Sequence, residues 1–211
     1  MKRTKRVARE RERQGAGSDR RDHLVDTALR LFNRNGFHAT GIDTILAESG
    51  VAKMTLYKHF RTKEELIIAA LRHREAEWLG WFDRTVRRLG RTPRDRLLAV
   101  FDALGRWIRG EDAGGAAFCG CPFINVAGEY ADPKHPVHAV ATGLKRQVVA
   151  YVTALAREAG ASDPETLGRQ LCLLAEGAVV HAHVAGDAKA AKRAKGAAEV
   201  LIAAALRRPR A

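Results

Sequence analysis

Apolar residues recur at three- and four-residue intervals along most of the chain, the period of an α-helix packed on one side. Glycine, proline and capping residues divide this pattern into nine segments, and no segment alternates in the manner of a β-strand. The pattern therefore predicts an all-α fold. Its helices cover about 22–35, a short pair within 40–59, then 63–89, 92–108, 122–132, 136–158, 162–185 and 188–207.

The stretch Thr40–Glu65 has the spacing of a helix-turn-helix followed by a capped third helix. Thr40 is the expected N-cap of the first short helix, with Asp43 completing a capping box. Gly50 supplies the positive φ that a tight helix–helix corner needs. Thr62 and Glu65 are expected to form a second capping box where the third helix begins.

The second short helix, about Ala52 to His59, is expected to bury Leu56 and to expose hydrogen-bond donors and cations. A helix with such an outer face fits the major groove of DNA. Lys63 and the free amides at the start of the following helix suit a backbone phosphate. The alternative interpretation is an ordinary three-helix cluster with solvated charges.

Several residues occur here at fixed spacing: Gly36-Phe37, Thr40, Gly50-Val51, Thr55-Leu56-Tyr57, His59-Phe60 and Lys63-Glu64. With them, about residues 20–75 resemble the N-terminal domain of the TetR/AcrR transcriptional regulators. The resemblance implies a two-domain, all-helical homodimer that binds a palindromic operator in double-stranded DNA. It further implies a repressor that leaves the operator when a small molecule enters its C-terminal domain.

Two residues depart from the family pattern. Ala52 stands where serine is frequent, so the recognition helix lacks a side-chain N-cap, at a cost of about 1 kcal/mol. Met54 stands where a small or charged residue is frequent and is expected to contact a thymine methyl. The expected DNA-binding residues are Thr40, Ala52, Lys53, Met54, Thr55, Tyr57, Lys58, His59 and Lys63.

The 211 residues carry a formal net charge of +13. Residues 1–21 hold nine Lys or Arg and three acids, a net charge of +6, with almost no apolar residues. We therefore expect a disordered basic arm over 1–21, a DNA-binding domain over 22–70, and a ligand-binding and dimerisation domain over 71–211. The arm is interpreted either as a DNA-backbone or minor-groove contact or as a solvated tail. We expect neither a signal peptide nor a membrane partner, since no long apolar run is present.

The last two helices are the expected homodimer interface. The eighth helix is apolar on two faces, and a helix of that kind must bury both. One face serves its own core, and the other needs a second subunit, as in a four-helix bundle. The alternative is that both faces are internal. The expected dimerisation residues are Leu171, Leu174, Gly177, Ala178 and Leu201.

Aromatic residues concentrate in helices four to seven, where the family resemblance implies an effector cavity. Trp81, Phe101, Phe123 and Tyr151 are the expected ligand-binding residues, although an aromatic residue is more often part of a core. Asp102 and Glu129 are the acids available there to meet a cationic ligand. Nothing in the sequence selects a ligand class beyond a small apolar or aromatic molecule.

Three cysteines, an odd number, fit a reducing cytoplasm better than a disulfide framework. Cys119 and Cys121 flank one glycine and are interpreted either as structural or as a thiol sensor of oxidants or electrophiles. No spacing ties the histidines to them, so no metal and no cofactor is expected. Enzyme motifs are absent from the sequence. An effector-independent DNA-binding protein stays open as an alternative.

Overall fold

A computed structural model describes the backbone of residues 2–112 and 117–206, and the side chains from residue 19 onward within those ranges. Over these residues the chain forms nine α-helices and no strand, which confirms the predicted all-α class. No helix among them is long and apolar enough to cross a membrane. The helices are α1 Lys2–Asn35, α2 Ile42–Ser49, α3 Lys53–His59, α4 Lys63–Leu89, α5 Pro93–Ile108, α6 Pro122–Glu129, α7 Pro136–Glu158, α8 Pro164–Ala185 and α9 Ala190–Ala205.

The first helix differs from the prediction. It continues back to Lys2, through most of the segment expected to be a disordered arm. Arginine, lysine, glutamate and alanine dominate that segment and have high helix propensity, and no proline interrupts them. The question of whether the arm contacts DNA falls on the side chains of residues 1–18, outside those that the structure describes.

Helix ends follow local capping chemistry, with two corrections. Thr92 and Asp95 form a reciprocal capping box before Pro93, as the sequence predicts. At α8, however, the N-cap is Asp163, whose carboxylate accepts from the Thr166 amide at 3.0 Å, so the predicted box beginning at Ser162 is wrong.

The second correction concerns α2, whose N-cap is Gly41 and carries no side-chain hydrogen bond. Thr40 is instead buried, and its hydroxyl donates to the Gly36 carbonyl at 2.7 Å. It therefore closes the turn after α1, because the hydroxyl reaches backwards along the chain and not forwards to α2. The predicted Thr40–Asp43 capping box is wrong for the same reason.

The helices share one continuous apolar core. Phe32, Phe37, Ile45 and Leu56 fill the space between α1, α2 and α3 and are at most 1% exposed. That core joins α4, which packs against α1 at its N-terminal end and against α5 and α7 further along. The long α4 is therefore the structural link between the helix-turn-helix and the remaining helices, which pack around α5, α7 and α8.

Candidate functional site

The outer face of α3 is an exposed surface above a buried support. Leu56 lies at the core and Phe60 follows it, with 1% and 4% of their surface exposed. On the opposite face Met54 is 87% exposed and Tyr57 is 48% exposed. Lys53 and Lys58 are exposed beside them, and Thr55 and His59 are half-buried. This arrangement presents donors, cations and one apolar contact to the outside, as a major-groove helix requires.

The turn before α3 has the predicted geometry. Gly50 adopts φ 65°, the left-handed conformation that ends α2 in a tight corner. Ala52 is the N-cap of α3 and makes no side-chain capping bond, as predicted from its methyl side chain. It is exposed, so its neighbourhood is open to a partner molecule.

The start of α4 provides amides and a lysine beside α3. The Thr62 hydroxyl accepts from the Glu65 amide at 3.2 Å, which confirms half of the predicted capping box. In a capping box the Glu65 carboxylate would accept from the Thr62 amide. Here it accepts from the amide of the preceding residue, Arg61, at 2.7 Å. Lys63 Nζ donates to the His38 carbonyl at 2.9 Å, and two of its three protons remain for a phosphate. Thr40, by contrast, turns its hydroxyl inward and offers no side-chain group to DNA.

A carboxylate from α6 fixes the loop between α1 and α2. Glu129 Oε1 accepts from the Phe37 amide at 2.8 Å, and Oε2 accepts from the His38 amide at 2.6 Å. His38 also stacks on Tyr130, with ring centroids 4.5 Å apart. Hydrogen bonds to a charged acceptor are the stronger kind. The end of α6 is therefore bound directly to the loop that leads into the helix-turn-helix.

A cavity lies between α4, α5, α7, α8 and the start of α6. It is open to solvent on one side, and about 550 Å³ of atom-free space, part of it solvent at the mouth, lies within and over it. Its walls are mainly apolar and aromatic, and its polar side chains are Arg74, Lys145 and Glu176. The apolar lining consists mainly of Trp78, Leu104, Trp107, Phe123, Leu144, Val148 and Val179.

The four predicted ligand-binding residues are scattered by the fold. Phe123 lines the cavity, but Phe101 lies on a separate groove between α5 and α9. Trp81 packs against the core from the side, outside the cavity lining. Tyr151 packs near Phe82, and burial raises the pKa of its phenol.

The predicted acids are also used elsewhere. Asp102 is paired with Lys195 on α9, with oxygen–nitrogen distances of 2.9 and 2.8 Å. Glu129 binds the amides of the α1–α2 loop, as described above. Neither lines the cavity, although Asp102 lines the groove between α5 and α9, so their role as partners for a cationic ligand stays a prediction.

The cysteines lie at or near the cavity. Cys121 and Cys172 line it and are buried, whereas Cys119 is half-buried and lies next to the turn at Gly120. Gly120 has φ 81°, and a Cβ there would come within 3.0 Å of the His183 ring, so the turn requires glycine. Burial raises the pKa of the Cys172 thiol to about 11, which keeps it protonated at neutral pH. Among the described residues no cluster of three metal-ligating side chains occurs.

The expected dimerisation residues divide between two faces of α8 and α9. Leu171 is fully buried and Ala178 is 5% exposed, so both belong to the core of their own subunit. Leu174 and Leu201 are half-buried, and Gly177 is exposed. The open apolar face consists of Leu173, Val180 and Val184 on α8 and Val200 on α9, which are 70%, 44%, 79% and 69% exposed.

Several residues of the cavity and of the α1–α2 loop were not predicted from the sequence. His38, Arg74 and Lys145 carry no local signal, because ordinary surface helices contain many such side chains. The position of Trp78 four residues after Arg74 places both on one face of α4, and that spacing could have connected them. The bond from Glu129 to Phe37 joins residues 92 positions apart, which no local pattern reports.

Known protein families match both parts of this architecture. The family of bacterial regulatory proteins called tetR matches residues 24–70, and the tetracyclin repressor-like C-terminal domain matches residues 93–198. The second match alone covers half of the chain. The protein therefore belongs to the TetR family of bacterial regulators. As a member it is a DNA-binding transcriptional regulator and not an enzyme.

Solved structures agree with this assignment along nearly the whole chain. A TetR-family regulator from Streptomyces coelicolor is 30% identical with a TM-score of 0.81, over 90% of this chain and 97% of that one. A TetR-type regulator from Streptomyces avermitilis is 31% identical with a TM-score of 0.72, over 88% and 97%.

Curated relatives are more distant or match only in part. The Escherichia coli regulator YjdC is 24% identical over 157 residues, which are 74% of this chain and 80% of that protein. The Bacillus subtilis regulator YerO is 38% identical over 53 residues, so the match spans 25% of this chain and 18% of that protein.

Proposed function

We propose that this chain is a homodimeric repressor that leaves a palindromic operator when a small apolar or aromatic molecule enters the cavity between α4 and α8. The observation that carries the proposal is the outer face of α3, where Met54, Tyr57 and Lys58 stand exposed over the buried Leu56. A helix with such a face, placed after a glycine corner, reads base edges in the major groove.

DNA contacts divide by chemistry. Lys53, Met54 and Lys58 face base edges, while Tyr57 and Lys63 hold phosphates on either side of the groove. Thr55 and His59, half-buried at the border of the face, support these contacts. The exposed backbone at Ala52 allows the DNA to approach the start of α3.

Dimerisation through α8 and α9 is supported by their open apolar face. Leu173, Gly177, Val180 and Val184 follow one another at four- and three-residue spacing, which forms a continuous stripe on one side of α8. Leucine and valine side chains exposed in such a stripe mark an interaction surface. Two copies packed along it form a four-helix bundle and place two recognition helices on one operator.

The path from the cavity to DNA runs through α6 as well as α4. Cys121, Pro122 and Phe123 line the cavity at the start of α6, and Glu129 at its end binds the Phe37 and His38 amides. A ligand that shifts this eight-residue helix therefore shifts the loop that leads into α2. To reduce operator occupancy about a hundredfold, the ligand must favour the released state by roughly 2.7 kcal/mol.

The test begins with an operator selected from random duplexes by the purified protein. Fluorescence anisotropy then measures the affinity, and a library of aromatic and apolar compounds is screened for release. We expect saturable release by at least one compound, with two subunits bound per operator. Tight DNA binding that no compound relieves would support the effector-independent alternative.

A mild oxidant distinguishes the remaining alternative, the thiol sensor. Release by oxidant that is abolished by Cys119→Ser or Cys121→Ser would replace the effector proposal. The burial of Cys121 favours the effector, because an oxidant must reach the sulfur in order to react with it.

A further inference from the structure

The effector cavity is lined by a tryptophan whose indole N–H has no acceptor among the described residues. Trp78 lines the cavity and is 7% exposed, and its Nε1 is buried without a hydrogen-bond partner among the described residues. An indole N–H can only donate. The ring is held firmly, since it stacks on Phe82 at 4.6 Å and meets the edge of Trp107 at 5.5 Å. No described residue accepts from this group, so a ligand that carries an acceptor atom and reaches Nε1 would satisfy it.

Two cations line the same cavity. Arg74 lies on α4 one turn before Trp78, so both side chains share one face of the helix. Lys145 reaches the cavity from α7. Both have more donors than their present partners use, because a guanidinium carries five N–H groups and an ammonium carries three.

The acids near the cavity are already paired. Arg74 forms a buried ion pair with Asp112, whose side chain is 4% exposed and which follows α5. Glu176 lies 3.2 Å from Lys145. A cationic ligand could bind the remaining lone pairs of Glu176, but it would meet the charges of Arg74 and Lys145 and would leave Trp78 Nε1 unsatisfied. An anionic ligand can add to the free donors of Arg74 and Lys145 and accept from Trp78.

We propose that the cavity takes a small aromatic or apolar molecule that carries a carboxylate, with Trp78 Nε1, Arg74 and Lys145 as its polar contacts. The proposal rests on the proposed function, because it assigns a ligand class to the effector cavity. The aromatic and aliphatic lining of Trp107, Phe123 and Val148 receives the body of the molecule. A guanidinium binds a carboxylate through two parallel hydrogen bonds, which makes Arg74 the main determinant of the preference for an acid.

The test uses three probes of one shape: 2-naphthoate, 2-naphthamide and 2-naphthylmethylammonium. Calorimetry on the full chain without DNA measures each affinity. We expect naphthoate to bind roughly tenfold more tightly than the amide, and the ammonium to bind least. Equal affinities, a preference for the ammonium, or no binding of naphthoate up to millimolar concentration would overturn the assignment.

Variants locate the contacts. Trp78→Phe removes the N–H and keeps an aromatic ring, so naphthoate and the amide should both weaken, by about threefold to tenfold. Arg74→Met with Asp112→Asn removes the ion pair as a unit and should abolish the preference for naphthoate over the amide. Arg106→Met, in the groove between α5 and α9, is the matched control and should leave all three affinities unchanged. Thermal melts followed by circular dichroism check that each variant folds, and a preference that survives the double variant would overturn the role of Arg74.

Release of operator DNA is read separately with the same probes. Naphthoate that binds the free protein but does not affect DNA would contradict the proposed effector function and leave the carboxylate site standing. Release of DNA by the amide or the ammonium in preference to naphthoate would support the effector function and overturn the carboxylate site.

Discussion

Lys58 on α3 is exposed to solvent, whereas Arg74 in the cavity is 13% exposed and already paired with Asp112. Water and salt screen a charge at the surface, so α3 can keep Lys58 free and pair Lys53 only loosely, at 3.8 Å from Asp43. A buried charge without a partner is costly, so the cavity keeps its charges compensated before any ligand enters. The cations of the α3 surface can thus stay unpaired in water, whereas those of the cavity are neutralised by Asp112 and Glu176 within the protein itself.

The largest expected effect comes from a substitution that disrupts the dimer, so that each subunit must bind its half-site alone. Leu173→Arg places a charge on the open face of α8 and should give a folded monomer in sedimentation velocity. Operator affinity should fall by about a hundredfold or more, because the two half-sites are no longer bound by one linked unit.

Leu171→Arg, two residues earlier, is the contrasting variant. Leu171 is fully buried, so a charge there should unfold the subunit, at a cost of several kcal/mol in chemical denaturation. A folded dimer carrying Leu173→Arg would contradict the proposed interface.

The next prediction concerns a substitution that should change the cavity and leave DNA binding by α3 unchanged. Val148→Phe places a larger side chain in the cavity wall and reduces the space for a ligand. The concentration of compound that releases half of the operator should rise by about thirtyfold. Operator affinity without the compound should stay as in the unaltered protein, measured by anisotropy. Val149→Phe, on the next residue of α7 and outside the cavity lining, should leave the release curve in place. A normal response from Val148→Phe would show that the effector binds elsewhere.

A smaller effect tests the connection between the two regions. Glu129→Gln keeps the shape but removes the charge that accepts from the Phe37 and His38 amides. The ratio of operator affinities with and without the compound should shrink by roughly fivefold, while binding of the compound to free protein stays the same. Glu158→Gln on α7 serves as the control for loss of one carboxylate. An unchanged ratio in Glu129→Gln would assign the coupling to α4 alone.

The smallest effects divide the α3 surface by role. Lys63→Ala should weaken binding to all duplexes several-fold and reduce the salt slope by about one unit, since one phosphate contact is lost. Met54→Ala should alter preference at one operator position by about fivefold and leave the salt slope unchanged. A change of sequence preference in Lys63→Ala, with overall affinity intact, would reverse these two assignments.

Much of the DNA-binding half could be predicted because its signals are local. The turn glycine at Gly50, the Thr62 cap and the missing cap at Ala52 act over four residues or fewer, and the structure confirms each. The predicted cap at Thr40 is wrong because a threonine before a helix can bond forwards or backwards along the chain. Only the packing of the turn against α1 decides the direction.

The cavity could not be predicted in this way. Helical periodicity gives each aromatic residue an inward direction but does not say which neighbouring helix covers it. Phe123 therefore reached the cavity while Phe101, equally apolar and buried, reached a different groove. Trp78 and Arg74 line a cavity only because α7 and α8 pack over α4, with lining residues more than sixty positions away in the chain.

The sequence by itself determined the all-α class, the helix-turn-helix and the membership of the TetR family. These follow from periodicity, caps and short motifs, whose energetics are settled within a few turns of helix. Tertiary structure decided that Leu171 is core and Leu173 is surface, and that Glu129 holds Phe37. The two faces of α8 have similar hydrophobic patterns in the sequence. Only packing against the other helices decides which face is buried.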